Sequence, residues 1–554
     1  MVSHSAADAG WNRVSRAAAL YRLLRRLAPP ALILAVACVL FVTAPVAGDF
    51  SYSDAPRHAL NGAFVKDFIA AWPWHDPASW AENYYLQYPA LSILFYPPLF
   101  YFIEAATFAL FGVSHVVAQG TVAVFYALLG FGVYRTSRLF LTRYAALGSA
   151  LMLMSAPELA FWGRQVMLDI PAYASLSWAA FCFARFLRHD RTRDLACATA
   201  LVLAAIYIKY NVAFIVPVFA LTMIAERRAA PFRDRRVLLA AALAALGLLP
   251  ALWLNLRFGI ANFQSAAALT NELPRWSVAA WTFYPTLLPE ILGWPVLLLA
   301  LAGAALLLAG KLPALKGWPA WLLLVWVLVG YVGFSAIALR APRHFLPVMT
   351  PFVILAAASL VYFLPRRIAG LAACVAGIGT LAYTLIAVPV PVITGHQALA
   401  DYAAAAAPPN AVVLFSGYRD GNFVFDLRTH EERRDITILR ADKLLLRVAV
   451  ERQRGVGEAA YSEDQIAALI RDLGISLIVA EDGFWDDLTE MQRFARVLNR
   501  SDFAVVAHVA ITGTMGHSDK SFTIYRPTYP VAAKTTRLRI EMPIINRTFQ
   551  GEIR

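Results

Sequence analysis

Apolar runs of spanning or near-spanning length recur along most of this chain, at roughly 30–47, 118–135, 143–161, 171–187, 194–208, 211–225, 236–256, 287–309, 319–339, 343–363 and 368–390. A helix needs about 20 such residues to cross a bilayer, and shorter ones suffice inside a bundle. About eleven spans follow. Only 15% of the residues are charged while 60% are hydrophobic, against about a quarter charged in soluble proteins, which excludes a single large water-soluble core. The chain reads as a polytopic α-helical membrane protein.

The net charge of +13 does not point to nucleic acid. Lys and Arg gather between the apolar runs, at 135–143, 185–193, 226–236, 311–316 and 365–367. That is the positive-inside pattern. All five clusters are cytoplasmic if the first span runs outward. Arg13, Arg16, Arg22, Arg25 and Arg26 precede that span, and Pro45 spoils a cleavage site after it, so it reads as an uncleaved anchor with a cytoplasmic N-terminus.

The run at 91–112 is the exception. It contains Pro97-Pro98 and Glu104, and a full crossing there would flip every later basic cluster outward. It therefore reads as an interfacial or re-entrant helix in a long outer loop at about 48–117. The same parity places everything after about Gly395 outside. There the apolar stretches shorten to strand length, as in "AVVLFSG", "ISLIVA" and "FTIYR", and alternate with amphipathic patterns such as "SEDQIAALIRDLG", the signature of an α/β domain. Residues 1–394 are thus expected to form a membrane domain and 395–554 an extracytoplasmic α/β domain.

Several charges lie at the outer ends of the spans. Asp54, Arg57 and His58 follow the first; Glu158, Arg164 and Asp169 lie in "APELAFWGRQVMLDIP"; Lys209 interrupts "IYIKYNVAF"; Arg340, Arg343 and His344 lie in "ALRAPRHFLP". An ionisable group in a membrane costs on the order of 2.5–3.5 kcal/mol on insertion scales and is a functional candidate by default. Any one of them has a second reading as a side chain snorkelling to the interface. Together they form a patch in which cations suit a lipid phosphate and a carboxylate suits a general base. The four cysteines show no metal-ligand spacing.

The order of these residues resembles the GT-C glycosyltransferases, in particular the protein mannosyltransferases and lipid A aminoarabinose transferases. The resemblance rests on "SDAPRHA" with Asp54 and Arg57, "YPPLFYF" after Tyr96, "MLDIP" with Asp169, Lys209 between two short spans, and "RHFLP" with Arg343 and His344. It covers about residues 30–365. It implies a GT-C-like fold in the plasma (inner) membrane and a polyprenyl-phosphate-sugar donor. Transfer would be inverting and metal-independent, with no cofactor, to an acceptor that is a lipid, a glycan or a protein. In this likeness Asp54 is the catalytic base, Arg57, Lys209 and Arg343 hold the donor phosphate, and Asp169, His344 and Tyr96 complete donor and acceptor binding. Two positions depart from the pattern. Ala55 stands where an acid often follows the catalytic Asp, which argues against protein mannosyltransferase activity, and Tyr96 stands where Lys or His commonly precedes Pro-Pro-Leu. The competing reading is a transporter or flippase of lipid-linked or anionic substrates. Such proteins usually show internal repeats and a midplane site, whereas these charges crowd one face and no repeat is visible.

Overall fold

The structure, a computed structural model, describes residues 26–258, 274–448, 452, 456–515, 520–531, 536–542 and 547–553. Arg13, Arg16, Arg22 and Arg25 of the basic N-terminus lie outside these residues. Among the described residues seven helices are long and apolar enough to cross a membrane, eight if one bent pair counts as a span, and three further apolar helices are shorter. The chain is a multi-pass membrane protein.

The differences from the expected eleven runs have local causes. The run at 143–161 is two helices, Arg143–Ser155 and Pro157–Gly163, bent by 67°; Pro157 lacks the amide hydrogen that would continue the ladder. The run at 287–309 splits into Val278–Leu292 and Trp294–Leu308 at Gly293, whose φ of +81° ends the first helix. The run at 194–208 is the 15-residue helix Thr192–Ile206. The chain then turns extended at Lys209 before resuming at Tyr210.

The segment at 48–117 contains three helices, Ala55–Ala71, Pro77–Gln87 and Leu99–Phe111. The last has 13 residues, about 20 Å at 1.5 Å per residue, short of the roughly 30 Å hydrocarbon core. It lies so close to Ala55–Ala71 that a Cβ on Gly62 would fall 2.3 Å from Glu104 Oε2.

The C-terminal region is built on a six-stranded sheet of β1 (Ile393–Thr394), β2 (Val412–Ser416), β3 (Thr437–Arg440), β4 (Ile475–Glu481), β5 (Phe503–Gly513) and β6 (Lys520–Pro527), in the order β1-β5-β6-β4-β2-β3. β2 is parallel to both β3 and β4, while β6 runs antiparallel to β4 and β5. Every residue of β2 and β4 is buried, as two covered faces require.

A buried ion pair ties the two regions together. Arg428, at the end of helix Asp420–Thr429, is 0% exposed and Asp67 of helix Ala55–Ala71 is 3% exposed. The guanidinium donates to Asp67 Oδ1 at 2.7 Å and Oδ2 at 2.6 Å, and the Tyr84 hydroxyl donates to Oδ2 at 2.9 Å. Removing one partner of such a pair costs about 3–5 kcal/mol, whereas replacing both by apolar groups is often neutral. Asp67→Leu should therefore lower the apparent Tm and hasten proteolysis, and adding Arg428→Met should recover much of the loss. A single variant that melts like the parent would contradict this.

Candidate active site

The site is assembled from four interruptions in the helices. Asp54 is the N-cap of helix Ala55–Ala71 but its carboxylate does not cap it. Among the described residues the Asp54 carboxylate has no hydrogen-bond or ion-pair partner. Asp169 opens helix Asp169–His189, where the positive end of the helix dipole favours a carboxylate. Lys209 lies in the extended break before the short helix Tyr210–Phe214. Arg343 and His344 lie in the 3₁₀ turn Pro342–Val348, ahead of helix Met349–Phe363.

These groups share one neighbourhood. Lys209 Nζ donates to Asp169 Oδ1 at 2.5 Å, with both residues buried, while Asp169 Oδ2 has no partner. The Arg343 guanidinium sits 5.0 Å from the ring centroids of both Tyr52 and Trp162, a stacked setting that suits a delocalised cation. Its Nη1 is buried without a partner. Asp54, Lys209, Asp169 and Arg343 all act electrostatically on the His58 ring, and Asp54, Arg343 and Asp169 act on Tyr96. His344 feels Lys209, Arg343 and Asp169. Burial pushes His58 down to about 4, so beside Asp54 it is a neutral ring, hydrogen-bonded through Nδ1 to the Tyr101 hydroxyl at 2.9 Å.

Arg57 stands apart from this group. Its Nη2 reaches both oxygens of Asp420 at 2.9 and 3.0 Å, and its Nη1 the Ala90 carbonyl at 3.3 Å. Asp420 is also gripped by Arg440 at 2.5 Å. The cation expected at the donor phosphate is here paired with a carboxylate of the α/β region. Arg164 and Arg340 are likewise held by backbone carbonyls, of Val388 at 2.6 Å and Ser335 at 2.9 Å, and Glu158 accepts from Trp162 Nε1 at 2.7 Å.

Sequence reasoning misses the residues that hold Asp54 in place. Asp49 accepts from the backbone and ring nitrogens of His396 at 2.9 and 2.8 Å and from the Gln397 amide at 3.2 Å. Arg419 donates to the Ser51 carbonyl at 2.8 Å and Asn422 to the Phe50 carbonyl at 3.1 Å. Residues 49–51, three positions before Asp54, are therefore strapped to the α/β region. The partners lie more than 300 residues apart in the chain, beyond any periodicity signal. Among the described residues no group of three or more His, Cys, Asp or Glu is arranged to hold a metal ion.

Residues 96–254 match the family described as dolichyl-phosphate-mannose-protein mannosyltransferase. No curated protein is similar to the chain by sequence. In three dimensions the chain is similar to ArnT from Cupriavidus metallidurans bound to undecaprenyl phosphate, with a TM-score of 0.62 and 15% identity over 91% of this chain and 99% of that one. The apo state of the same protein gives 0.63 and 16% over 89% and 97%. The archaeal oligosaccharyltransferase AglB from Archaeoglobus fulgidus, in complex with an inhibitory peptide and a dolichol-phosphate, gives 0.52 and 13% over 83% and 70%. The fold is that of the GT-C membrane proteins.

Proposed function

We propose that this GT-C-fold chain is a membrane glycosyltransferase that moves a hexosyl or pentosyl group from a polyprenyl-phosphate carrier to an acceptor on the outer face of the plasma (inner) membrane, with inversion at the anomeric carbon. The observation that carries this is the free Asp54 carboxylate sharing one neighbourhood with the Lys209–Asp169 pair and the unpartnered Nη1 of Arg343. The positive-inside distribution of Lys and Arg supports a cytoplasmic N-terminus and an outward α/β region. The lipid phosphates named for the similar structures support the donor class.

In the transfer, Asp54 takes the proton of the acceptor hydroxyl, the hydroxyl oxygen bonds to the anomeric carbon, and the bond from that carbon to the phosphate oxygen breaks with its electron pair going to the phosphate. Lys209 and Arg343 meet the charge growing there. Asp169 orients Lys209, and its free Oδ2 is available to a sugar hydroxyl. His344 and Tyr96 line the donor side. Arg57 has no donor role in this scheme; it latches helix Ala55–Ala71 to the α/β region. In this scheme Asp54 acts as base and not as nucleophile, so the acceptor oxygen enters opposite the departing phosphate in one displacement and the product is inverted.

Native mass spectrometry of the full chain in detergent with undecaprenyl phosphate tests the donor class. Retention of the lipid phosphate, displaced by dolichyl phosphate but not by undecanol, is the expected result. No retention of either lipid phosphate would overturn the reading.

A further inference from the structure

A cavity of about 610 Å³ lies where the strap before Asp54 meets the α/β region, well inside the roughly 300–1,000 Å³ range of small-ligand sites. Its outer wall is the carboxyl end of the sheet. The chain leaves β2 for β3 on one side and later fills β4 on the other, so the loops after β2 and β4 diverge and open a crevice at the switch point. Tyr418, just after β2, and Glu481, at the end of β4, both line it. The opposite wall includes Tyr52 and Ser53. Tyr52 is also a ring on which Arg343 rests, so the cavity and the charged cluster meet at Tyr52, and the lining continues to Ser53, next to Asp54 in the chain.

The charges that line the cavity are already cancelled or committed. Arg57 is paired with Asp420 at 2.9 Å. Glu481 accepts from the Tyr418 amide at 2.6 Å and faces Lys520 at 3.7 Å, and Arg419 donates to the Ser51 carbonyl. Three lining residues each carry a buried polar atom without a partner: Gln165 Nε2, His396 Nε2 and Asn422 Oδ1. Their residues are 4%, 1% and 1% exposed. His396 Nδ1 faces the Asp49 carboxylate, so in the neutral ring Nδ1 carries the proton and Nε2 is an acceptor. One donor and two acceptors therefore belong to the same lining as the aromatic side chains of Tyr52, Phe161, Tyr418 and Phe522. Orphaned polar groups of this kind call for a ligand or water that completes them.

We infer that this cavity is the acceptor site and that it takes a neutral, polyhydroxylated glycan, a reading that rests on the glycosyl transfer proposed above. Sugar hydroxyls both donate and accept, which the mixed set of Gln165, His396 and Asn422 requires, and the apolar face of a pyranose covers an aromatic ring. A phosphorylated or carboxylated acceptor would need a cation that no partner already holds at this wall. One hydroxyl of the glycan, at the Ser53 end, would lie next to Asp54 and surrender its proton there as its oxygen bonds to the anomeric carbon.

The test uses the purified full chain, immobilised in detergent, with two probes and a control: the neutral and the anionic fractions of oligosaccharides released from the host envelope by mild acid, and undecaprenyl phosphate. The expected result is retention of the neutral fraction, reduced tenfold or more by Gln165→Leu, which removes the unpartnered donor, and by the half-exposed Tyr418→Ala, with undecaprenyl phosphate binding unchanged in both. Retention of the anionic fraction alone, or equal retention of the neutral fraction by parent and both variants, overturns the inference. A parent that binds undecaprenyl phosphate but no neutral oligosaccharide overturns the acceptor class and leaves the donor reading standing. A parent that retains neutral oligosaccharide but no lipid phosphate supports the glycan site and removes the donor reading.

Discussion

Asp54→Asn is expected to lower sugar transfer by about 10²–10⁴-fold, the usual contribution of a positioned general base, in protein that still inserts and folds. The amide keeps the size and hydrogen-bonding reach of the side chain and loses only the ability to take a proton. The fold does not depend on the carboxylate, because Asp54 makes no side-chain cap and has no ion pair among the described residues. Its position comes instead from the backbone, through the strap at 49–51 and the His58 amide donating to the Asp54 carbonyl at 3.0 Å. Turnover by purified Asp54→Asn, with membrane levels matched to the parent, checks this. Near-parental turnover would remove Asp54 as the base.

Arg343 carries the second large effect. It lies between two aromatic rings with Nη1 unpartnered; in the proposed transfer it donates to a donor-phosphate oxygen, and loss of one such donor typically costs about 10²–10³ in kcat. Arg343→Ala should show a loss of that size. Arg343→Lys should keep part of the activity, since it retains the charge but not the planar fork or the stacking on Tyr52 and Trp162. The order parent, Lys, Ala is the signature. An arginine that merely anchors the turn to lipid head groups would leave transfer equal in all three at equal membrane levels.

Much of the membrane region is legible in the sequence because apolar length and basic clusters report directly on spanning helices. Asp54, Asp169, Lys209 and Arg343 are legible for a related reason: each sits where an apolar run begins or breaks, and insertion does not require a charge there. Their company in space follows from all four breaks lying at the same ends of their helices. Arg57 shows where this stops. It is one turn from Asp54, yet its partner is Asp420, 363 residues away, and only the docking of the α/β region reveals that the guanidinium is taken. The breaks at Ala156 and Gly293 are visible afterwards in Pro157 and in a positive φ, but a hydropathy window averages over them. The strap from Asp49 to His396, Arg419 and Asn422, and the cavity it borders, depend on sheet order, which strand-length apolar runs do not encode.

A transporter with the same charges would move a lipid-linked sugar across the membrane and leave it intact, whereas a transferase separates sugar from carrier. The most direct measurement is therefore the pool of polyprenyl-monophosphate sugars, read by mass spectrometry of lipids from cells lacking the gene and from the same cells carrying the parent or Asp54→Asn. A polyprenyl-phosphate sugar is expected to accumulate without the gene, to fall when the parent is restored, and to stay high with Asp54→Asn. A pool that is the same in all three strains, or that Asp54→Asn clears as well as the parent does, would contradict it.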